Sequence, residues 1–209
     1  DWSSDGALPI SVICGSCHLD IALGTKGDGK RLNLPAALHG WHANYLTGRG
    51  AEACAYCHPN NPQGPTRCLR GVHDDRGLDC TSCHGTMEDH SLALLKGEHG
   101  KGKAQAAPLM ANLAPRQVAY TGKVNGRTPW LGEPDCLNCH AGFSPPSSEQ
   151  AFNTWTAGPG DLYRIRTDQT GQLRCPACHG SPHAVYPARE DSGYGKDRDN
   201  VQPVQYQGA

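Results

Sequence analysis

The chain has 209 residues, a formal net charge of -1 and an apolar fraction of 37%, with only two Phe and two Met. Its 26 glycines and 16 prolines are more than an average chain of this length contains. No basic patch supports nucleic-acid binding, and no apolar stretch reaches the length of a membrane span. The composition therefore predicts either partial disorder or folding around an apolar group that the polypeptide does not encode.

Five copies of a C-x-x-C-H motif account for ten of the eleven cysteines. In chain order they occupy residues 14–18, 54–58, 80–84, 136–140 and 175–179, and they are called the first to fifth motifs below. Cysteines three residues apart on a helical turn lie on one face. Both sulfurs can then reach the two vinyl groups of one porphyrin, and the histidine that follows can bind its iron.

The motifs predict five covalently bound haems c, each with two attachment cysteines and one proximal histidine. The predicted attachment residues are Cys14, Cys17, Cys54, Cys57, Cys80, Cys83, Cys136, Cys139, Cys175 and Cys178. The predicted proximal ligands are His18, His58, His84, His140 and His179. Two alternatives explain less: zinc knuckles need four ligands from paired knuckles, and five knuckles do not pair off. A thioredoxin-like dithiol explains neither the five copies nor the histidines.

Six histidines outside the motifs are candidates for the sixth position on each iron. They are His39, His42, His73, His90, His99 and His183. Five irons need five of them, which leaves one imidazole to spare, whereas the two methionines, Met87 and Met110, cannot serve five haems. We therefore expect bis-histidine, low-spin haems of low potential. Arginine and lysine side chains near the haem propionates are expected to tune the individual potentials.

Local context ranks these candidates. Pro35 suits the first turn of a short helix that places His39 and His42 three residues apart on one face; the alternative is that both are surface histidines. His73 lies in a polar turn, as a ligand to an earlier haem or as a solvated loop residue.

Three further candidates lie close to a motif or in a flexible-looking segment. His90 opens an apolar helical run, and His183 follows the stiff Pro182, so each is too near its own motif and is expected to serve another haem. The glycine and lysine stretch at 96–103 predicts a mobile, solvated loop, which ranks His99 last as a ligand. If it does ligate, it is the best candidate to reach an adjacent subunit.

The motifs start 40, 26, 56 and 39 residues apart, so the chain has no fixed repeat. We expect one pentahaem domain over residues 1–209, with a polar C-terminal arm at 192–209. Its predicted fold is mostly loop with short α-helices and at most one small β-hairpin, folded around a chain of closely packed haems. A helix is predicted at 149–155, where the preceding serines can cap it. The hairpin is predicted at 163–174, with its turn at 168–171.

The dense motifs, the surplus histidines, and the segments A-C-A-Y-C-H-P at 53–59 and R-C-P-A-C-H-G-S-P-H-A-V-Y-P at 174–187 resemble multihaem c-type cytochromes of metal-reducing bacteria and archaea. Some members of that group polymerise into extracellular filaments, in which a histidine of one subunit completes a haem in the next. The resemblance implies an extracytoplasmic protein, extracellular or at the cell surface, with the periplasm as the alternative. The sequence starts at Asp1, and we expect any export signal to have been removed before it.

Three functions follow, in order of preference. The first is an electron-conducting homopolymer that passes electrons to redox partner proteins or an extracellular acceptor. The second is a soluble periplasmic shuttle, and the third is a multihaem reductase, disfavoured because the histidines suffice to close every iron and no C-x-x-C-K variant occurs. The unpaired Cys68 is interpreted as a buried thiol, with an intermolecular disulfide or an unusual haem contact as alternatives.

Overall fold

The structure, a computed structural model, describes residues 14–58, 60, 69, 72–179 and 183. Within them the chain forms six α-helices joined by loops and short 3-10 turns, and extended pairing is limited to isolated bridges. This confirms the prediction of a mostly irregular chain with short helices. The helices are α1 (Leu34–Ala43), α2 (Glu52–Ala55), α3 (Val72–Asp75), α4 (Cys80–His84), α5 (Met87–Gly100) and α6 (Ala106–Met110). None of the six is long and apolar enough to cross a bilayer. The predicted arm at 192–209 and Cys68 lie outside the described residues, so the expectations for both stay predictions.

Helix α5 is the centre of the hydrophobic core. It begins with a capping box, in which the Thr86 hydroxyl accepts from the Asp89 backbone N–H and the Asp89 carboxylate accepts from the Thr86 N–H. Nine of its 14 residues are buried, and Leu92, Leu94 and Leu95 are essentially inaccessible to solvent. Helices α1 and α6 pack against it. The chain thus has a conventional core, although a small one.

Helix α1 is fixed on α5 by close packing and by a polar contact at its N-terminal end. The Asn33 side chain caps α1 by accepting from the Ala36 N–H at 2.8 Å, and the Asn33 N–H donates to buried Glu98 of α5, also at 2.8 Å. A Cβ at Gly40 would lie 2.9 Å from Leu95, so the glycine permits the close approach of the two helices. As predicted, Pro35 occupies the first turn and α1 carries both His39 and His42.

The prediction of a mobile loop at 96–103 is wrong for residues 96–100, because α5 continues through Gly100. Gly97 does not loosen the chain: a Cβ there would collide with the Arg127 carbonyl, and the Arg127 N–H donates to the Ala93 carbonyl at 2.9 Å. The glycine therefore lets a loop pack directly on the helix. His99 lies in the last turn of α5 and is exposed.

The helix predicted at 149–155 is also wrong. The Ala151 and Phe152 N–H groups both donate to the Ser82 carbonyl in the third motif, at 2.8 and 3.2 Å, and Asn153 has a φ of 72°. Long-range hydrogen bonds to the motif take the place of helical ones. The predicted hairpin is reduced to its turn and one antiparallel bridge between Thr167 and Arg174. His73, predicted in a polar turn, lies in the one-turn helix α3.

Candidate haem-binding site

All five motifs form the same kind of helical turn. The third motif is α4, and the other four begin in helical or 3-10 turns in which the histidine N–H donates to the carbonyl of the first cysteine at 2.9–3.0 Å. The side chains of Asp79 and Asp135 cap the third and fourth turns by accepting backbone N–H groups. This repeated turn places each pair of cysteines on one face, as thioether attachment to a single porphyrin requires.

The ten motif cysteines are free thiols, and every one is exposed or half-buried. The second and third motifs lie side by side, since the Cys54 thiol hydrogen-bonds to Cys80. That hydrogen bond lowers the pKa of Cys80 to about 7 and raises the pKa of Cys54. Among the described residues no three histidine, cysteine or acidic side chains converge as a metal cluster, so the tetrahedral set that a zinc knuckle needs does not occur there.

Three of the motif histidines face a histidine from outside the motifs. The ring centroids are 6.2 Å apart for His58 and His39, 5.8 Å for His84 and His183, and 6.4 Å for His140 and His73. A metal between two imidazoles, at about 2.0 Å from each nitrogen, separates the ring centroids by about 6 Å. The three separations thus match the space that one bis-histidine iron needs.

His90 stands between two of these pairs. Its ring centroid is 4.6 Å from that of His39 and 5.5 Å from that of His84, with the rings edge to face in both contacts. The His90 Nδ1 is buried and has no hydrogen-bond partner. Its separation from His39 is too short for a metal between those two rings. The sequence predicted that His90 serves a haem other than that of its own motif, and the structure places its ring between those of His39 and His84.

Four of the candidate and motif imidazoles are oriented by a backbone carbonyl. The Nδ1 atoms of His18, His39 and His42 lie 2.7–2.8 Å from the carbonyls of Leu32, Pro35 and Leu38, and that of His140 lies 3.1 Å from the Ser144 carbonyl. An Nδ1–H that donates to a carbonyl leaves the Nε2 lone pair free for a metal. Metal-binding histidines ordinarily make such a hydrogen bond through the ring nitrogen that does not bind the metal.

Burial favours the neutral form of four imidazoles in or beside these pairs, those of His39, His73, His84 and His90. It lowers the pKa of His84 to about 3, with the Arg127 charge as the next cause. It also lowers the pKa of His39 and His73, and that of His90 well below its ordinary value. Because a protonated imidazole cannot bind a metal, these groups are in the form that an iron ligand needs at neutral pH.

The remaining four histidines have no such partner. Within the described part of the chain no imidazole ring contacts those of His18, His42, His99 or His179. The side chains of His42, His99 and His179 are exposed, and His18 is half-buried. Within the described residues, the structure therefore brings a second imidazole to the motif histidine of the second, third and fourth motifs, and not to that of the first and fifth.

Large apolar side chains are exposed beside four of the motifs. Leu19, Ile21 and Leu23 follow the first motif, and Leu23 is 67% exposed. The others are Tyr56 in the second motif, Phe143 after the fourth and Leu173 before the fifth. Exposed apolar groups clustered at sites that also present paired thiols indicate an apolar partner there. The planar porphyrin predicted from the motifs fits this surface.

The structure also identifies a site residue that the sequence did not single out. Arg127 Nη1 lies 3.3 Å from Nδ1 of His84, although 43 residues separate the two along the chain. Its guanidinium lies 4.9 Å from the centroid of the Trp155 ring. No motif or spacing marks Arg127, because the contact depends on the loop that Gly97 admits against α5.

No protein-family model, curated protein or solved structure matches the chain.

Proposed function

We propose that the protein is an electron carrier that holds five haems c, one on each motif. The observation that carries the proposal is the set of three opposed imidazole pairs, each of which joins a motif histidine to a histidine from elsewhere at the separation of a shared metal. Haem c, when bound, supplies an iron that alternates between the ferric and ferrous states and so carries one electron. The outward thiols and the exposed apolar side chains beside them support the same proposal.

The pairs assign three of the distal ligands. His39 serves the second motif through His58, His183 serves the third through His84, and His73 serves the fourth through His140. His183 is preferred to His90 as the partner of His84, because their ring centroids are 5.8 Å apart, closer to the separation of a shared metal than the 5.5 Å between His84 and His90. His90 is then the imidazole in excess, in place of His99.

The second and third centres are neighbours in this arrangement. The Cys54 and Cys80 thiols are in hydrogen-bond contact, and the His90 ring touches both the His39 and the His84 rings. Both contacts bring the two motifs side by side. The chain's own residues thus provide the close approach that electron transfer between successive centres needs.

The haem content of the purified protein tests the proposal. We expect its mass to exceed that of the polypeptide by five haems and the haem absorption bands to be present. The matched variant carries Cys136→Ser and Cys139→Ser, and it is expected to hold four haems. A colourless protein with the mass of the bare polypeptide would contradict the proposal.

The ligand pairs are tested separately by the spin state of the ferric protein. His73→Ala and His183→Ala are each expected to add one high-spin iron relative to the parent protein, since each removes one sixth ligand. His90→Ala is the control and is expected to add none. A high-spin iron in His90→Ala and none in His183→Ala would exchange the roles of these two histidines.

A filament of many copies is the favoured setting for this electron transfer. His42 and His99 are exposed, and His18 and His179 are the two motif ligands that no imidazole of the described residues contacts. Donation of an exposed histidine to a neighbouring copy would complete the first and fifth centres, in an extracellular or cell-surface homopolymer. The periplasmic shuttle remains the second candidate, and a reductase with an open iron is third.

Electron microscopy of the native protein separates the first two candidates. A filament predicts long fibres that His42→Ala or His99→Ala shortens or abolishes, with His90→Ala as the matched histidine variant that leaves them intact. Monodisperse particles at high protein concentration would favour the shuttle instead.

A further inference from the structure

Arg127 is a buried cation held in place by the backbone. Its N–H donates to the Ala93 carbonyl at 2.9 Å, and its own carbonyl faces Gly97 of α5. The guanidinium reaches His84 Nδ1 at 3.3 Å and covers one face of Trp155. Its Nε is buried with no hydrogen-bond partner in the structure. The side chain is thus fixed beside the motif histidine of α4 with part of its donor capacity unused.

The charge of Arg127 is not balanced by an ion pair. Among the described residues no carboxylate lies within ion-pair distance of it, whereas Arg31, Arg116, Arg164 and Arg166 each have such a partner. Burial lowers the pKa of Arg127 to about 10, and the charge of Glu133 opposes that change. The group is therefore still protonated at neutral pH.

Glu133 is an acidic group whose charge acts on Arg127, and its carboxylate is engaged elsewhere. Its Oε2 accepts from the Tyr163 N–H at 2.8 Å, and its Oε1 lies 3.8 Å from Arg164. The other titratable groups whose interactions involve His84 are the imidazoles of His39, His58, His90 and His183. Among the described residues, the surroundings of Arg127 therefore hold imidazole rings and one carboxylate that is engaged elsewhere, and none of them forms an ion pair with it.

We propose that the fixed positive charge of Arg127 raises the reduction potential of the haem iron on the third motif. This inference rests on the proposed haem content. Reduction adds one electron to the centre without making or breaking a bond, so the net positive charge beside Arg127 decreases. The repulsion between the guanidinium and the ferric centre is therefore relieved in the reduced state. This repulsion is several times stronger in a buried site than in water. Arg127 thus biases one of five centres toward holding the electron.

The test is a redox titration of the full-length, haem-loaded protein with a chemical reductant, followed by absorbance. Arg127→Met removes the charge and keeps a similar length, Arg127→Lys keeps the charge, and Arg127→Gln removes the charge and keeps a planar donor. Arg116→Met is the matched control, because Arg116 is paired with Glu88 at 3.1 Å and its side chain is 53% exposed. Haem content is measured on every variant.

We expect one of the five reduction steps to move to lower potential in Arg127→Met and Arg127→Gln. The expected change is at least tenfold in the equilibrium constant for that step, which is about 59 mV for a one-electron couple. Arg127→Lys should retain most of the parent potential, and Arg116→Met all of it. The ferric electron paramagnetic resonance signal of one centre should change in the two charge-removing variants.

Three results would overturn the inference while leaving the proposed function intact. They are five unchanged steps in a charge-removing variant that keeps five haems, an equal shift in Arg127→Lys, and loss of a haem from both charge-removing variants. The last would make Arg127 a residue for haem retention. A parent protein without haem would instead contradict the proposed function itself.

Discussion

The helix α5 and the five motif turns differ most in what the polypeptide buries. Nine of the 14 residues of α5 are buried, whereas the turns that begin at Cys14, Cys80, Cys136 and Cys175 contain no buried residue. Helix α2, which leads into the second motif, buries only Ala53. One region is stable through its own side chains, and the other presents thiols, imidazoles and apolar groups at its surface.

The motif turns are nevertheless locally ordered. Asp79 accepts from the Thr81 and Ser82 N–H groups at 2.8 and 3.2 Å, and Asp135 accepts from the Leu137 N–H at 3.0 Å. Backbone and cap hydrogen bonds set the direction of the cysteines without any burial. The comparison teaches that local hydrogen bonds arrange the motif cysteines, while the burial that stabilises the fold is concentrated in the α5 core.

The largest effect on the free energy of unfolding is expected in the α5 core. Leu92 has no exposed surface, and Leu92→Ala should lower the free energy of unfolding by about 2–5 kcal/mol through lost burial and a residual cavity. The measurement is denaturant unfolding of the haem-loaded protein, followed by circular dichroism. A loss under 1 kcal/mol would show that the α5 core is not the main source of stability.

Leu23 beside the first motif tests the other side. It is 67% exposed on the polypeptide, and a truly exposed leucine would lose at most about 0.5 kcal/mol on truncation to alanine. Because we propose that a haem covers this surface, Leu23→Ala in the haem-loaded protein should lose about 1 kcal/mol or more. A loss in the free energy of unfolding no larger than that of an ordinary surface substitution would contradict the proposal that a haem covers Leu23.

An effect smaller than that of Leu92→Ala is expected where α1 meets α5. Gly40→Ala places a Cβ 2.9 Å from the Leu95 side chain, and overpacking of this kind costs about 1–3 kcal/mol. The shift should also displace His39, so the spin state of the second centre is recorded with the unfolding curve. Gly100→Ala is the matched control, because no atom lies within 4 Å of its Cβ position.

Local signals in the sequence predicted the elements that depend on local hydrogen bonds. The C-x-x-C-H spacing predicted the attachment turns, and Pro35 predicted the helix that carries His39 and His42. The errors lie where distant contacts decide the backbone. Gly97 suggested a loop but serves the contact with Arg127, and residues 149–155 bond to Ser82 in preference to one another.

The ligand pairs could not be predicted for the same reason. His39 and His58 are 19 residues apart in the sequence, and His73 and His140 are 67 apart, so their approach depends on how the loops pass over α5. The sequence contains six histidines outside the motifs for five predicted irons, which leaves one histidine in excess. The structure adds that His90 lies against both His39 and His84, which belong to two different pairs.

The smallest effect is expected at the cap of the third motif. Asp79→Ala removes the acceptor for the Thr81 and Ser82 N–H groups, and loss of such a cap costs about 1 kcal/mol. Asp75→Ala is the matched control, since Asp75 is an exposed aspartate just upstream that caps no motif. If attachment depends on the preformed turn, Asp79→Ala should also lower the fraction of chains that carry the third haem, measured by intact mass. A full haem complement with unchanged stability would mean that the porphyrin organises this turn by itself, and the contrast between preformed turns and a self-supporting core would then disappear.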